Sequence, residues 1–252
     1  MGSLQGRHAL VTGAGSGIGR HAATVLAVNG ARVSLCARRR DRIADVAATI
    51  AAAGRGAQAV AMDVTDATSI GAGLDEASAA FGPVDILINN AGVVGDKSLL
   101  DMPEDEWDRI HDTNLKGAWL CAREVAKRLI ASGRGGVIVN VASVLGFAVQ
   151  KGTGPYAASK AGLLHLTRAM AAEWARHNIR VNALAPGYVQ TDMVDTFLAS
   201  DRGKKLIAGV PQRRAGTVDD LTEPLLLLAG DGSAYMTGAV LTVDGGISLG
   251  TL

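Results

Sequence analysis

Cysteine is scarce in this chain. Its 252 residues contain two, Cys36 and Cys121, and they form no CxxC pair. That argues against a disulfide framework, gives zinc no thiolate set, and fits a reducing compartment. No two of the five histidines stand in HxxxH or HExxH spacing, so a zinc-enzyme signature is missing as well. Charge of one sign is not in excess: 25 Lys and Arg against 24 Asp and Glu leave a formal net charge of +1. Neither nucleic acid nor an anionic membrane is expected as a partner. No apolar run reaches the roughly 18 residues of a membrane span. The opening residues run into a first strand without a charged leader, so the expected location is cytoplasmic.

What the chain does have is apolar material, 48% of its residues, in a repeating order. Short β-branched runs at 8–12, 31–37, 57–64, 84–92, 135–143, 179–187 and 238–246 read as strands. Longer Ala-rich segments at 17–30, 41–54, 66–82, 155–177 and 219–230 read as helices, and a further long helix follows Pro103. The strands are apolar nearly throughout, as expected where helices cover both faces of a sheet. About seven strands separated by helices predict an α/β fold, a single-domain, Rossmann-like, doubly wound parallel sheet. No linker, repeat or low-complexity segment divides residues 1–252. One irregular, charge-rich stretch, about 188–217, reads as a substrate lid.

The first strand meets the first helix in VTGAGSGIGR. Strict GxGxxG does not fit, but GxxxGxG does, through Gly13, Gly17 and Gly19. Glycines there allow a tight turn and close backbone approach, and the helix start offers free N–H groups to a pyrophosphate. Ser16 and Ile18 belong to the same turn. Roughly 20 residues on, an NAD site would show an acid for the ribose; instead Arg38 and Arg39 stand there and the first acid is Asp41. An arginine fork suits a phosphate, so NADP(H) is expected over NAD(H), the alternative being a solvated cluster of Arg38, Arg39 and Arg40 at a helix start. Asp63, with Val64 after it, ends the third strand and serves either an adenine amino group or a turn.

Taken together, TGAGSGIG at 12–19, NNAG at 89–92, Asn114, Ser143, YAASK at 156–160 and PG at 186–187 resemble the short-chain dehydrogenase/reductase family from about residue 5 to 246. The C-terminal phrases VPQRRAGT and LTVDGG are similar to the subgroup of 3-oxoacyl-carrier-protein reductases and ketone reductases. Tyr156 and Lys160, four residues apart, share one helix face. A free tyrosine has a pKa of about 10, and a nearby ammonium is expected to lower it. The resemblance implies Tyr156 as general acid–base and Ser143 as hydrogen-bond partner of the reacting oxygen. Lys160 would sit on the nicotinamide ribose, and Asn114 would hold a water next to Lys160. It also implies cofactor contacts from Asn90, Ala91, Gly92, Pro186, Gly187, Val189 and Thr191; Asn89 and Asn90 are equally suited to tying adjacent strands.

The same layout gives a substrate pocket of Val93, Val94, Leu145, Val149, Gln150, Tyr188, Met193 and Phe197. That set is mostly apolar, with no fixed charge near the reacting carbon, and suits a hydrophobic ketone or secondary alcohol better than a sugar or an acidic metabolite, with Gln150 left for a polar substituent. A 3-oxoacyl-carrier-protein reductase is the runner-up, with Arg134 as a basic docking residue and His177, next to Arg176, where a second base would stand. A nucleotide-sensing protein without catalysis is the remaining alternative. Trp107, Trp119 and Trp174 fall on long helices and are expected in a core or subunit interface, and His111 on a helix surface. The resemblance further implies a homotetramer.

Overall fold

The structure is a computed structural model that describes residues 4–249. Seven strands form one sheet: β1 (His8–Thr12), β2 (Arg32–Ala37), β3 (Ala57–Ala61), β4 (Ile86–Asn89), β5 (Gly136–Val141), β6 (Ile179–Pro186) and β7 (Val240–Val243). Their order is β3-β2-β1-β4-β5-β6-β7, and every pairing is parallel. The order reverses between β1 and β4. A crevice opens at such a switch point beyond the carboxyl ends of the strands.

Side chains alternate faces along a strand, and each of these strands therefore feeds two cores. Ala9, Val11, Ile86 and Ile88 point into one, while Leu10 and Leu87 point into the other. The first core is closed by α1 (Gly17–Val28), α2 (Arg40–Ala52) and α9 (Thr222–Ala229), through Leu26, Ile43, Leu225 and Leu228. The second is closed by α3 (Ala67–Phe81), α5 (Gly117–Ala131) and α6 (Gly154–Trp174), through Leu74, Leu129 and Met170. This is the reason the strands read as continuous apolar runs.

Several boundaries differ from expectation, each for a local reason. The strand expected over 84–92 stops at Asn89, because the next two N–H groups, of Asn90 and Ala91, donate to Thr12 Oγ1 at 3.0 Å each instead of to a neighbouring strand. The helix after Pro103 is α4 (Glu104–His111) and α5, joined by a π-helical turn at Asp112–Lys116. The helix expected over 219–230 begins as a 3-10 turn, Val218–Leu221, so Pro224 falls in the first turn of α9, where its missing N–H costs nothing. The irregular stretch contains α7 (Asp195–Ala199) and α8 (Asp201–Gly209). It leaves and rejoins the body at one point: Val189 and Gly216 form a parallel bridge, with Gln190 N–H to Gly216 O and Gly216 N–H to Tyr188 O both at 2.9 Å.

Trp119 and Trp174 pack on the second core, while Trp107 is half exposed and stacks on His111 at 4.2 Å between ring centroids. No helix among the described residues is long and apolar enough to cross a membrane.

Candidate active site

The turn between β1 and α1 is built for close approach. Gly13 and Gly17 have φ of +65° and +49°, the left-handed region that disfavours a side chain. A Cβ on Gly19 would lie 2.3 Å from Gly13 O and 2.4 Å from Asn90 Nδ2, so only glycine fits there. Asn90 Nδ2 donates to Thr12 O at 3.0 Å and to Gly13 O at 3.2 Å, fastening the end of β4 to this turn. Asn89 turns the other way: its Nδ2 donates to Asn140 Oδ1 and Ala118 O, both at 2.9 Å. Both asparagines thus tie strands together, and Asn90 also faces the crevice. Ser16 caps α1 in extended conformation without a side-chain hydrogen bond, and the first turn of α1 holds no acid. The N–H groups of α1 and their partial positive charge are left for a ligand anion.

A groove of about 460 Å³ runs from this turn along the strand ends. Gly13, Ser16, Gly17, Ile18, Asp63, Val64, Asn90, Ala91, Gly92 and Thr191 line it, as do Arg38 and Arg39. The arginine triplet divides: Arg40 turns away and pairs with Glu76 at 2.9 Å. Arg42, which sequence reasoning passed over, joins Arg38 and Arg39 in the groove. It lies in the first turn of α2, just after that pair, and this closeness in the chain was the available signal. None of the three arginines makes an ion pair among the described residues, which suits a phosphate-bearing cofactor. Asp63 does serve a turn, its Oδ1 accepting from Thr65 N and Oγ1 at 2.9 and 2.8 Å, while it also lines the groove.

A second cavity, of about 830 Å³, joins the groove through Ile18, Asn90, Gly92, Thr191 and Met193. Ser143, Tyr156 and Lys160 face it together, from the end of β5 and the first two turns of α6. Pro186, Gly187 and Val189 supply the wall after β6. Lys160 is buried and its Nζ donates to Val141 O at 2.8 Å, while lying 5.6 Å from the Tyr156 ring centroid. Burial without a carboxylate partner pushes the Lys160 ammonium down to about 8. Burial also raises the Tyr156 phenol, and a hydrogen bond with Ser143 opposes that rise only in part. The expected lowering of Tyr156 by Lys160 is therefore not met: burial raises the phenol, and what opposes the rise is the hydrogen bond with Ser143.

Asn114 sits in the π-helical turn and is 1% exposed. Its Oδ1 accepts from Val93 N at 2.8 Å, and its Nδ2 donates to Val93 O at 2.9 Å and Ser159 Oγ at 3.1 Å. Both amide hydrogens are committed to protein. The side chain pins the segment beyond Gly92 to α6.

Val94, Leu145, Gln150, Tyr188, Met193 and Phe197 all line the second cavity. Val93 lines the groove instead, and Val149 is 95% exposed, off both walls. The cavity also carries charge outside that set. Lys151, Arg202, Asp96 and Glu106 also line it, from the loop after Gln150, the start of α8, the segment before α4 and α4 itself. Only Arg202 had a sequence signal, the charge-rich character of residues 188–217. No cluster of residues among those described is suited to a metal ion.

Residues 13–248 match the family profile described as Enoyl-(Acyl carrier protein) reductase. The chain is 38% identical over 248 residues to a 2-dehydro-3-deoxy-D-gluconate 5-dehydrogenase of Escherichia coli, covering 97% of this chain and 96% of that one. It is 37% identical over 242 residues to a 3-oxoacyl-[acyl-carrier-protein] reductase of Staphylococcus aureus, covering 96% and 98%. Its fold superposes with a TM-score of 0.95 and 35% identity on a gluconate 5-dehydrogenase from Burkholderia cenocepacia solved with NADP and tartrate, covering 99% and 98%. With a glycine-cradled groove opening onto Ser143, Tyr156 and Lys160 across these full-length matches, the chain belongs to the short-chain dehydrogenase/reductase family of oxidoreductases.

Proposed function

We propose that this protein transfers a hydride between NADP(H) and a ketone or secondary alcohol, with Tyr156 as general acid–base. The observation that carries the reading is the joining of the two cavities. A groove that presents bare N–H groups and three unpaired arginines opens directly onto Tyr156, Ser143 and Lys160. Gly13, Ser16, Gly17, Ile18 and Gly19 would hold the pyrophosphate, and Arg38, Arg39 and Arg42 the extra phosphate of NADP(H). Asp63, Val64, Asn90, Ala91 and Gly92 would flank the adenosine and nicotinamide sides, with Pro186, Gly187, Val189 and Thr191 beyond. The bound cofactor supplies the hydride; the residues supply orientation and proton handling.

In reduction, Tyr156 donates its phenolic proton to the carbonyl oxygen; in oxidation it takes one from the alcohol. Its raised pKa keeps the donor form in place across neutral pH. Ser143 donates a hydrogen bond to the same oxygen as negative charge gathers there. Lys160 holds a positive charge beside the phenol and would bond the cofactor ribose. Asn114 acts as a positioning residue, through Val93 and Ser159. Residues 188–217, pinned at the Val189–Gly216 bridge, serve as the substrate lid.

The second reading is a 3-oxoacyl-carrier-protein reductase, favoured by the Staphylococcus aureus relative. Against it, Arg134 is tied to Asp85, and Arg134 and His177 precede β5 and β6, at the opposite edge of the sheet from this chain's cavity. A homotetramer and a cytoplasmic location, which two buried unpaired thiols suit, complete the proposal. The test is nicotinamide oxidation followed spectrally, with NADPH and NADH side by side, over a ketone panel and one 3-oxoacyl thioester. Turnover of ketones with NADPH supports the reading. Turnover of the thioester alone favours the second, and cofactor binding with no turnover of any substrate contradicts both.

A further inference from the structure

Two cations, Lys151 and Arg202, meet on the lining of the substrate cavity. Five charged residues line it: Asp96, Glu106, Lys151, Lys160 and Arg202. Of the two acids, Glu106 is occupied elsewhere and Asp96 makes no ion pair among the described residues. Glu106 pairs with Lys97 at 3.0 Å and Arg109 at 3.7 Å, and the charge of Asp96 also acts on Lys97. Lys151 and Arg202 have no carboxylate partner among the described residues. Arg202 is nevertheless held in place, because its Nη2 donates to Lys151 O at 3.2 Å across the cavity mouth. Its charge bears on the cavity wall: burial and then Tyr156 raise the Tyr188 phenol, and the Arg202 guanidinium opposes that rise.

Two further features ask for a polar ligand. Arg202 occupies the first turn of α8, where a cation opposes the helix dipole, so helix stability does not account for it. Gln150, on the cavity wall beside Lys151, keeps a buried Oε1 with no hydrogen-bond partner. Buried acceptors are nearly always satisfied, and one left open beside a cavity is completed when a ligand brings a donor.

We propose that the substrate is a small oxo or hydroxy acid, and that Arg202 is the specificity-determining residue that takes its carboxylate while the carbonyl lies at Tyr156. The guanidinium fork matches a carboxylate with two parallel hydrogen bonds, which an ammonium cannot reproduce. Because Arg202 belongs to α8 and Lys151 to the opposite wall, an anion bound there fastens the lid to the body. The proposal rests on the reading of this cavity as the carbonyl site.

The test compares matched pairs under NADPH oxidation: levulinate with methyl levulinate, and a polyhydroxylated oxo-hexonate with its methyl ester. The wild-type protein is expected to favour the acid of each pair by at least about ten-fold in kcat/KM, with the preference shrinking as salt is added. Arg202→Gln is expected to collapse the acid-to-ester ratio toward unity through the KM of the acid, and Arg202→Lys to restore only part of it. An unchanged ratio in Arg202→Gln, or a wild-type preference for the esters, overturns the proposal and leaves the ketone reading standing. The wild-type ratio alone decides the matter should the variant not fold. Absence of turnover with both acids and esters overturns the proposal together with the reading beneath it.

Discussion

Lys160 carries most of the physical tension in the site. Its ordinary pKa of 10.5 falls to about 8 through burial, a cost of roughly 3 kcal/mol for keeping the ammonium in the folded chain. The folded protein releases this proton near pH 8 and the unfolded chain near 10.5, so the unfolded state binds more protons across that window. Stability therefore rises with pH through it, and the full cost is present below pH 8. Lys160→Met is expected to abolish turnover and to make the cofactor-free protein more stable at neutral pH by about 1–3 kcal/mol. The difference from wild type should vanish toward pH 10. Denaturant unfolding of both proteins across this range measures it.

Asn114 is the other residue whose role is read from bonds. Asn114→Ala removes three hydrogen bonds and orphans the Val93 N–H, so a loss of about 2–3 kcal/mol in unfolding free energy is expected. A role confined to stability would leave the pH profile of reduction unmoved. A shift of that profile would show that the π-helical turn also sets the environment of Lys160.

At the level of elements, the glycine turn and α1 form one device. Gly19→Ala places a Cβ against Gly13 O and Asn90, so the turn must open. NADPH binding, followed by fluorescence titration, should weaken at least about 100-fold while the far-UV signature of the sheet persists. The elements most legible in the sequence were those fixed by local chemistry. Gly13, Gly17 and Gly19 announced the turn, the apolar runs announced buried parallel strands, and Tyr156 and Lys160 announced a shared helix face. What escaped depends on partners distant in the chain. The strand at 84–92 was cut short by Thr12, and Asn114 was taken up by Val93 and Ser159. The charge of the substrate cavity comes from Lys151 and Arg202, 51 residues apart and joined by one hydrogen bond. No local pattern carries such a contact. Desolvation is similarly invisible in a sequence, which is why the direction of the Tyr156 shift was misjudged.

For the molecule as a whole, one sheet holds both the cofactor groove and the substrate cavity, and its two cores share every central strand. Ligand binding in the crevice should therefore stabilise the entire fold by linkage. NADP+ is expected to raise the melting temperature more than NAD+ at equal concentration, and replacing Arg38, Arg39 and Arg42 together with alanine should erase that difference. Equal shifts with both cofactors in the wild-type chain would remove the arginines from the cofactor account. The measurement that bears most directly on the central claim pairs NADPH-dependent ketone reduction with NADPH titration, in wild type and Tyr156→Phe. The account predicts a fall in turnover of at least about a thousand-fold with cofactor affinity retained. Near-normal turnover in Tyr156→Phe would contradict it.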